Sequence, residues 1–386
     1  MTNTEKLIFE LTKNTCLSLW SYANPIGKKG KELCDILVYS EPNIIIISVK
    51  EIIPTDSGNN KVDWERWERT AIEKSYKQIY GAERYLNSLE NILLNNGTVE
   101  LKLPPLQNRK YYRIAVAIGG EEKMPIVWGD FGKGFVHVFD NISVDIIFKE
   151  LDTITDLLKY LEKKEVLYKN KEKDFVITGG EEDLLAFYLS NNEDFKYQGN
   201  TTILDDNLWK GYIASKEYSR WKKNVKVSSL WDNFIELLTK DFQKGRLEVG
   251  GNYNDIELVL RTMAKESRNN RILLSKGFLD FYSNPTIRSR PVASYSDIVY
   301  VFLTANRDED REYRRAELMG RCLIVRKYTP EAHIVVGIAT EKNDGENGFS
   351  LDVTYLYKPS ISKRDEKNVE KMVNEFGWFK NSFKGR

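Results

Sequence analysis

Residues 44–47 are four consecutive isoleucines, and Ser48, Val49 and Lys50 follow them directly. Isoleucine is branched at Cβ and therefore favours the extended backbone of a strand. An apolar run without alternating polar residues is typical of a strand that is covered on both faces. The run predicts a central strand over residues 44–50, in a sheet with helices on each side.

A second strand is predicted immediately before the isoleucine run. Residues 33–39 read Leu-Cys-Asp-Ile-Leu-Val-Tyr, and residues 41–43 (Glu-Pro-Asn) supply a tight turn. We expect an antiparallel hairpin, in which the start of one strand faces the end of the other. Asp35 and Lys50 would then meet at one edge of the sheet. The two-residue period of a strand places Ser48 on the same face as Lys50.

The rest of the chain alternates between helical and extended patterns. In the first part we predict helices over residues 4–20 (capped by Thr4), 64–94 and 148–164, and strands over 111–118 and 135–139. In the second part we predict helices over 181–189, 230–243, 253–270 and 363–377, and strands over 297–304, 321–327, 333–340 and 350–357. The pattern weakens after residue 165, so we expect an α/β domain over residues 1–165 and an α+β domain over residues 166–386.

Composition narrows the possible chemistry. The chain of 386 residues is 41% hydrophobic and 30% charged, which suits a soluble globular protein of about two domains. It contains only two histidines, His137 and His333, so we do not expect a site that needs two or three imidazoles. Neither histidine lies near a nucleophile-elbow pattern, and the phosphate-binding glycine motifs are absent. Chemistry in this chain is expected to use carboxylates and lysines.

The cysteines and the charge bear on location and partners. Three scattered cysteines form neither a disulfide framework nor a zinc motif, and no apolar run is long enough to span a membrane. The start of the chain lacks the cationic region of a secretory signal. We therefore expect a cytoplasmic protein without a membrane partner. The net charge is +1, so any contact with nucleic acid must come from local patches.

The expected meeting of Asp35 and Lys50 has a chemical meaning. A carboxylate is a hard-oxygen ligand for a divalent cation such as Mg²⁺. A neighbouring ammonium group can orient an attacking water or stabilise a charged phosphate. A metal ion would lower the pKa of the bound water and offset charge in the transition state. The pair therefore suits hydrolysis of a phosphodiester.

The arrangement resembles the PD-(D/E)XK, or restriction-endonuclease-like, nuclease superfamily. Asp35, the spacer and Ser48-Val49-Lys50 carry the resemblance, within a helix-strand-strand-helix-strand order. The resemblance implies that Asp35 and the carbonyl of Val49 bind Mg²⁺, for which Mn²⁺ can substitute, and that Lys50 is catalytic. Many members carry a glutamate on the first helix, where this chain has Glu10, and a glutamine or lysine on the helix after the lysine strand, where it has Gln78.

One position departs from the superfamily pattern. The second acid would fall at residue 48, where this chain has serine, a neutral and weaker ligand. Ser48 can still take part in the site, and Glu10, Glu32 or Glu73 can supply the missing charge. Glu32 reaches the site only if the residues before the strand form a loop.

The composition of several other segments allows two interpretations. The aromatic helix over 64–85 suits core packing, or a groove for unstacked bases. Residues 209–226 carry six basic residues and four aromatic ones against one acid, which suits nucleic-acid contact or a solvated segment. The basic stretch 261–276 also suits either nucleic-acid contact or a solvated segment. His137 is expected to be a core residue of the strand over 135–139.

The resemblance implies a Mg²⁺-dependent endonuclease, with DNA as a better expectation than RNA, and a role in bacterial defence against foreign DNA. Two alternatives stay open. The protein can be an inactive member of the fold that only binds nucleic acid, or a sensor or scaffold subunit of a defence complex. Many relatives form dimers, so a homodimer or a partner protein is also expected.

Overall fold

The computed structural model describes residues 1–94, 99–120, 124, 126–170, 174–196, 201–244, 253–342 and 350–380. The chain forms two compact units, Met1–Ser219 and Arg220–Arg386. Each is a mixture of helices and strands, and each has its own sheet.

The first unit contains a mixed central sheet flanked by helices. Its helices are α1 (Asn3–Cys16), α2 (Asn60–Glu68), α3 (Lys74–Asn87), α4 (Asn141–Glu150), α5 (Ile154–Lys169), α6 (Glu181–Ser190), α7 (Leu208–Ile213) and the start of α8 (Lys216–Gln243). Its strands are β1 (Ser21–Ala23), β2 (Ile36–Ser40), β3 (Asn43–Glu51), β4 (Asn91–Leu94), β5 (Val99–Lys102), β6 (Lys110–Ile118), β7 (Gly129–Asp130), β8 (Phe135–Phe139), β9 (Asp174–Ile177) and β10 (Thr201–Leu204). A π-helical turn, Arg69–Glu73, joins α2 to α3.

Six strands form the central sheet in the order β1-β2-β3-β6-β8-β7. The strands β3, β6 and β8 are parallel, and the other neighbours are antiparallel. The predicted hairpin is present, with Ile36 opposite Ile47 and Ser40 opposite Asn43. The strand that carries the isoleucines therefore lies inside the sheet, between β2 and β6.

Helices cover both faces of β3. Ile44 and Ile46 belong to the same apolar cluster as Trp67, Ile72 and Ile79 of the α2–α3 segment. Ile45 and Ile47 alternate to the other face, where α1 and α4 contact the sheet. All four isoleucines are at most 1% exposed, so each stabilises the fold by about 2 kcal/mol of apolar burial. The predicted central, doubly covered strand is confirmed.

Several helix ends differ from the predicted ones. The helix predicted over residues 64–94 ends at Asn87, and residues 91–94 form β4 instead. The first helix begins at Asn3, because Thr2, rather than Thr4, accepts a hydrogen bond from the amide of Glu5. The predicted helix over 148–164 is divided into α4 and α5. Thr153 caps the second of these by accepting a hydrogen bond from the amide of Asp156 at 3.1 Å.

The segment after residue 165 packs with the first unit. The ammonium of Lys164 is fully buried and lies 2.5 Å from Glu181 of α6. The hydroxyl of Tyr160 donates to the other oxygen of the same carboxylate at 2.6 Å. These contacts tie α5 to α6, and the compact unit runs to Ser219, beyond the boundary that the sequence predicts near residue 165.

The second unit has a four-stranded sheet in the order β11-β12-β13-β14, with a parallel central pair. Besides the rest of α8, its elements are α9 (Tyr253–Ala264), α10 (Arg268–Tyr282), β11 (Ser289–Ala293), β12 (Ile298–Ala305), α11 (Arg311–Tyr328), β13 (Ile334–Glu341), β14 (Asp352–Tyr357) and α12 (Lys363–Phe376). None of the helices in the described ranges is both long and apolar enough to cross a membrane.

The strand predicted over residues 321–327 is wrong, because this segment is the second half of α11. Its β-branched residues suggested a strand. However, Leu318, Cys322 and Val325 recur at helical spacing and are all at most 1% exposed. Burial of this apolar stripe against the sheet outweighs the weaker local preference of isoleucine and valine.

Candidate functional site

The hairpin of β2 and β3 brings the candidate residues to one edge of the sheet. Its register places Ile36 opposite Ile47, and continuing it by one residue places Asp35 opposite Ser48. Cross-strand partners project to the same face, and so do residues two apart. Asp35, Ser48 and Lys50 therefore share the face that α3 covers.

Asp35 is buried and makes two polar contacts with the end of β3. Its side chain is 4% exposed, whereas that of Lys50 is 29% exposed. The carboxylate oxygen Oδ2 accepts a hydrogen bond from the amide of Val49 at 2.5 Å. The same oxygen lies 3.5 Å from Nζ of Lys50. An acid and an ammonium thus meet at the edge of the sheet, and the ammonium reaches solvent.

Glu32 is the second carboxyl group of this edge. Although the residue as a whole is exposed, partial burial of its carboxyl group is the largest cause that raises its pKa to about 7. A hydrogen bond with Asp35 and the negative charges of Asp35 and Glu5 raise the pKa further, while the charge of Lys50 lowers it. Two neighbouring carboxyl groups also form a pair of oxygen donors for a cation.

Ser48 is turned towards α3 rather than towards Asp35. Its hydroxyl donates to Oε1 of Gln78 at 2.9 Å and is fully buried. The π-helical turn Arg69–Glu73 precedes Gln78 in the same long helical segment. Such turns are rare and occur often at functional sites. The hydrogen bond from Ser48 places Gln78 beside β3, the strand that carries Lys50. Gln78 thereby fixes Ser48, the residue at the position of the superfamily's second acid.

Val49 supplies backbone groups rather than a side chain. In a strand, the amide and the carbonyl of one residue point to the same side. Because the amide of Val49 donates to Asp35, its carbonyl is directed to this side of β3 as well. The carbonyl oxygen can therefore add to the carboxylates of Asp35 and Glu32 as a donor for a cation.

Two of the predicted acids lie elsewhere. Glu10 is 61% exposed on α1, and its carboxylate pairs with Nζ of Lys13 at 2.6 Å. Glu73 pairs with Lys77, one turn further along the helical segment. None of the described contacts of Glu10 or Glu73 involves Asp35 or Lys50.

The negative charge of Glu5 on α1 contributes to the raised pKa of Glu32, after burial and the effects of Asp35. The sequence marks Glu5 only as the third residue of a capping box with Thr2. That pattern predicts a helix start and carries no signal for the site.

The fit of a divalent metal rests on the Asp35–Glu32 pair. In the described parts of the chain, no group of three or more His, Cys, Asp or Glu side chains is arranged to hold a metal ion. The pair offers two carboxyl groups close enough for Asp35 to raise the pKa of Glu32, and the carbonyl of Val49 adds a neutral oxygen. These donors suit a hard cation such as Mg²⁺, whose remaining positions are usually filled by water and substrate.

Core packing accounts for most of the aromatic helix. Trp67 is 1% exposed, and the ring of Tyr76 stacks on Phe131 with centroids 4.5 Å apart. The hydroxyl of Tyr80 donates to the carbonyl of Gly134 at 2.6 Å. These contacts leave the rings engaged within the protein, so they support the packing interpretation rather than a groove for bases.

The aromatic residues at the start of the basic segment 209–226 also pack on one another. Trp209, Tyr212 and Tyr218 form a cluster with ring centroids 5.3 to 6.2 Å apart. The hydroxyl of Tyr218 donates to Glu150 at 2.9 Å. These three rings are thus part of a packed cluster, which favours the packing interpretation for the start of the segment.

His137 is a core residue of β8, as the sequence predicts. It is fully buried, and burial lowers its pKa to about 4 against the opposing effect of Glu165. Its Nε2 lies 3.5 Å from Oε1 of Glu165, and neither ring nitrogen makes a geometrically sound hydrogen bond. The buried His137 ring is therefore neutral at pH 7.

The second unit contains a cavity of about 660 Å³. It lies beyond the ends of the parallel strands β12 and β13, next to the end of α10. Its polar lining combines the cations Arg307 and Lys342 with the acid Asp308. Such positions often bind ligands in α/β sheets, but the lining lacks the paired carboxyl groups of the hairpin edge.

Comparison with known proteins gives no family to which the chain can be assigned. No protein-family model matches the sequence, and no curated protein matches it either. The functional argument therefore rests on the geometry of the hairpin edge.

Proposed function

We propose that the first unit is a metal-dependent nuclease of the PD-(D/E)XK type that hydrolyses phosphodiester bonds in DNA. The proposal is carried by the meeting of Asp35 and Lys50, with Oδ2 and Nζ 3.5 Å apart. The order α1, β2, β3, α3 and β6 supports it, because it follows the helix-strand-strand-helix-strand order that the resemblance implies. DNA is preferred to RNA because it is the commoner substrate of that superfamily.

Each residue of the site has a part in this proposal. Asp35, Glu32 and the carbonyl of Val49 would hold Mg²⁺ or Mn²⁺, which supplies Lewis acidity and a more acidic bound water. The ammonium of Lys50 is partly exposed and can donate hydrogen bonds to an attacking water or to a phosphate oxygen. Gln78 fixes Ser48 and thereby the end of β3 that carries Lys50.

The experiment that tests the proposal is a DNA cleavage assay with added Mg²⁺. We expect the wild type to cut plasmid DNA, and Lys50→Ala and Asp35→Asn to lower the rate by about a hundredfold or more, as loss of a transition-state contact does. Matched controls are Lys61→Ala and Asp145→Asn, whose side chains are 83% and 42% exposed. Both controls should stay within about twofold of the wild type, because Lys61 pairs with Glu65 and Asp145 with Lys149 rather than with Asp35 or Lys50.

The proposal would be overturned by a wild type that does not cut, or by Lys50 and Asp35 variants that are folded and cut normally. Circular dichroism and thermal unfolding establish whether each variant is folded. Lys50→Ala is the safer variant for this purpose, because Asp35 is more deeply buried than Lys50.

A second candidate function is nucleic-acid binding without catalysis. Two observations favour it: residue 48 is a neutral serine that bonds to Gln78, and the described residues contain no three-ligand metal group. In that case the wild type binds DNA with a steep dependence on salt and does not cut it with Mg²⁺ or Mn²⁺. The same assay separates the two functions.

A further inference from the structure

Residues 24–35 form a short finger whose base is Asp35. The two arms of the finger are held by backbone hydrogen bonds. They run from the amide of Asn24 to the carbonyl of Asp35 (2.9 Å), from Leu33 to Pro25 (2.8 Å) and from Gly27 to Lys31 (2.7 Å). Ile26 and Glu32 form an antiparallel bridge between the arms. The tip is therefore fixed relative to the Asp35–Lys50 pair.

The tip carries three exposed lysines, Lys28, Lys29 and Lys31. Two consecutive residues at the tip have positive φ angles, 58° at Lys29 and 72° at Gly30. Glycine and asparagine are the residues that tight turns favour at such positions. A lysine there is sterically disfavoured, so the backbone gives no reason for a lysine side chain at this point.

The charge of the tip is available to a partner. In the described part of the chain, Lys28, Lys29 and Lys31 form no ion pair with any acid. The nearest acids along the finger, Glu32 and Asp35, interact with each other and with Lys50. The tip thus presents three positive charges to solvent, a few residues from the candidate site.

We infer that this lysine finger binds the phosphate backbone of the nucleic acid and seats it beside Asp35 and Lys50. A polyanion fits three closely spaced ammonium groups, because binding releases its condensed counterions. The contacts are to phosphates, so the finger contributes affinity and position rather than sequence preference. The inference deepens the proposed function of the same site, but DNA binding by the finger can be measured without cleavage.

The test compares variants of the full-length chain by fluorescence anisotropy with a labelled DNA duplex, in EDTA and over a range of salt concentrations. The triple variant K28Q/K29Q/K31Q should lower the slope of log K against log salt by about 2 to 3, because each lysine on a phosphate contributes about 0.9. Its affinity at moderate salt should fall by about tenfold or more. The matched control is K363Q/K367Q/K371Q, which removes the same charge from three exposed lysines of α12.

A single substitution separates binding from folding. Lys29→Asn places a residue that tolerates positive φ at the tip and removes one charge. It should keep or raise the melting temperature while lowering the salt slope by about 1. A merely structural lysine would show the opposite pattern, with a loss of stability and unchanged binding.

The inference is overturned if the finger variant binds DNA like the wild type, if the α12 control loses as much affinity, or if the wild type binds no DNA. Cleavage separates this result from the proposed function. If DNA binding depends on the finger but the wild type does not cut DNA with Mg²⁺, the nuclease proposal is contradicted and the inference about the finger is supported. If the finger variant cuts DNA with the same KM as the wild type, the inference about the finger is contradicted and the nuclease proposal is supported.

Discussion

At the scale of single residues, Ser48 is where the site differs most from the pattern it resembles. A buried hydroxyl needs a hydrogen-bond partner, and Gln78 provides it at 2.9 Å. We expect Gln78→Ala to cost about 1 to 2 kcal/mol of unfolding free energy, because the hydroxyl of Ser48 loses this acceptor. Gln78→Glu keeps an acceptor oxygen and is the matched control. Urea unfolding of both variants measures the difference, and equal stabilities would contradict this account of Ser48.

A second residue-scale prediction concerns His137. Its pKa in the folded protein is about 4, below its ordinary value of 6.5, because the ring is buried. Between pH 6.5 and pH 4, His137 therefore binds a proton in the unfolded chain but not in the folded protein. Stability from this residue is complete above pH 6.5 and is lost as the pH falls towards 4, by about 3 kcal/mol in total.

The measurement for His137 is urea unfolding of the wild type and of His137→Phe between pH 7 and pH 4. A phenylalanine there would lie between Phe135 and Phe139, which already contact the His137 ring. The variant should lose less stability than the wild type over this range. Two curves that fall in parallel would show that His137 does not take part in acid destabilisation.

At the scale of elements, the position of α3 on the sheet depends on one ion pair as well as on apolar packing. Arg113 of β6 bonds to both oxygens of Glu83 on α3, at 2.6 and 2.7 Å. The side chains are 13% and 16% exposed, so removal of one partner leaves a charge that is largely buried. We expect Glu83→Ala to cost about 3 kcal/mol in thermal or urea unfolding.

Two controls bear on the Glu83 prediction. The double variant Glu83→Ala/Arg113→Met removes both charges and should recover part of the loss, since no unpaired charge then remains buried. Lys149→Ala breaks an exposed pair with Asp145 and should change stability by less than about 1 kcal/mol. A Glu83→Ala variant as stable as the wild type would mean that the Arg113–Glu83 pair does not help to hold α3 on the sheet.

The elements also show which parts of the fold and of the candidate site can be predicted from the sequence. The isoleucine run and the turn at residues 41–43 determine the hairpin, so the meeting of Asp35 and Lys50 could be predicted from alternation and register. The effect of Glu5 on Glu32 could not, because it depends on the distance between two charges that are far apart in the sequence. The helix over 321–327 is not predictable from local residue preference, because its burial depends on a sheet formed by distant strands.

At the scale of the whole molecule, the extent of the first unit is open to a direct test. Lys164 is fully buried and relies on Glu181. A fragment ending at residue 165 would remove Glu181 together with the rest of α6 and would uncover the side of α5 that faces it, whereas a fragment ending at Ser219 keeps the Lys164–Glu181 pair. We expect the longer fragment to unfold cooperatively and the shorter one to be unstable, as measured by circular dichroism. A shorter fragment of equal stability would place the boundary near residue 165.

The central claim is that Asp35 and its neighbours hold a divalent cation beside Lys50. Its most direct test is a crystal of the full-length protein soaked in Mn²⁺, with anomalous diffraction to locate the metal. We predict a peak about 2.0 to 2.5 Å from carboxylate oxygens of Asp35 and Glu32, with Asp35 released from the amide of Val49. A map without a peak at this edge, with Asp35 still bonded to Val49 and Lys50, would contradict the account.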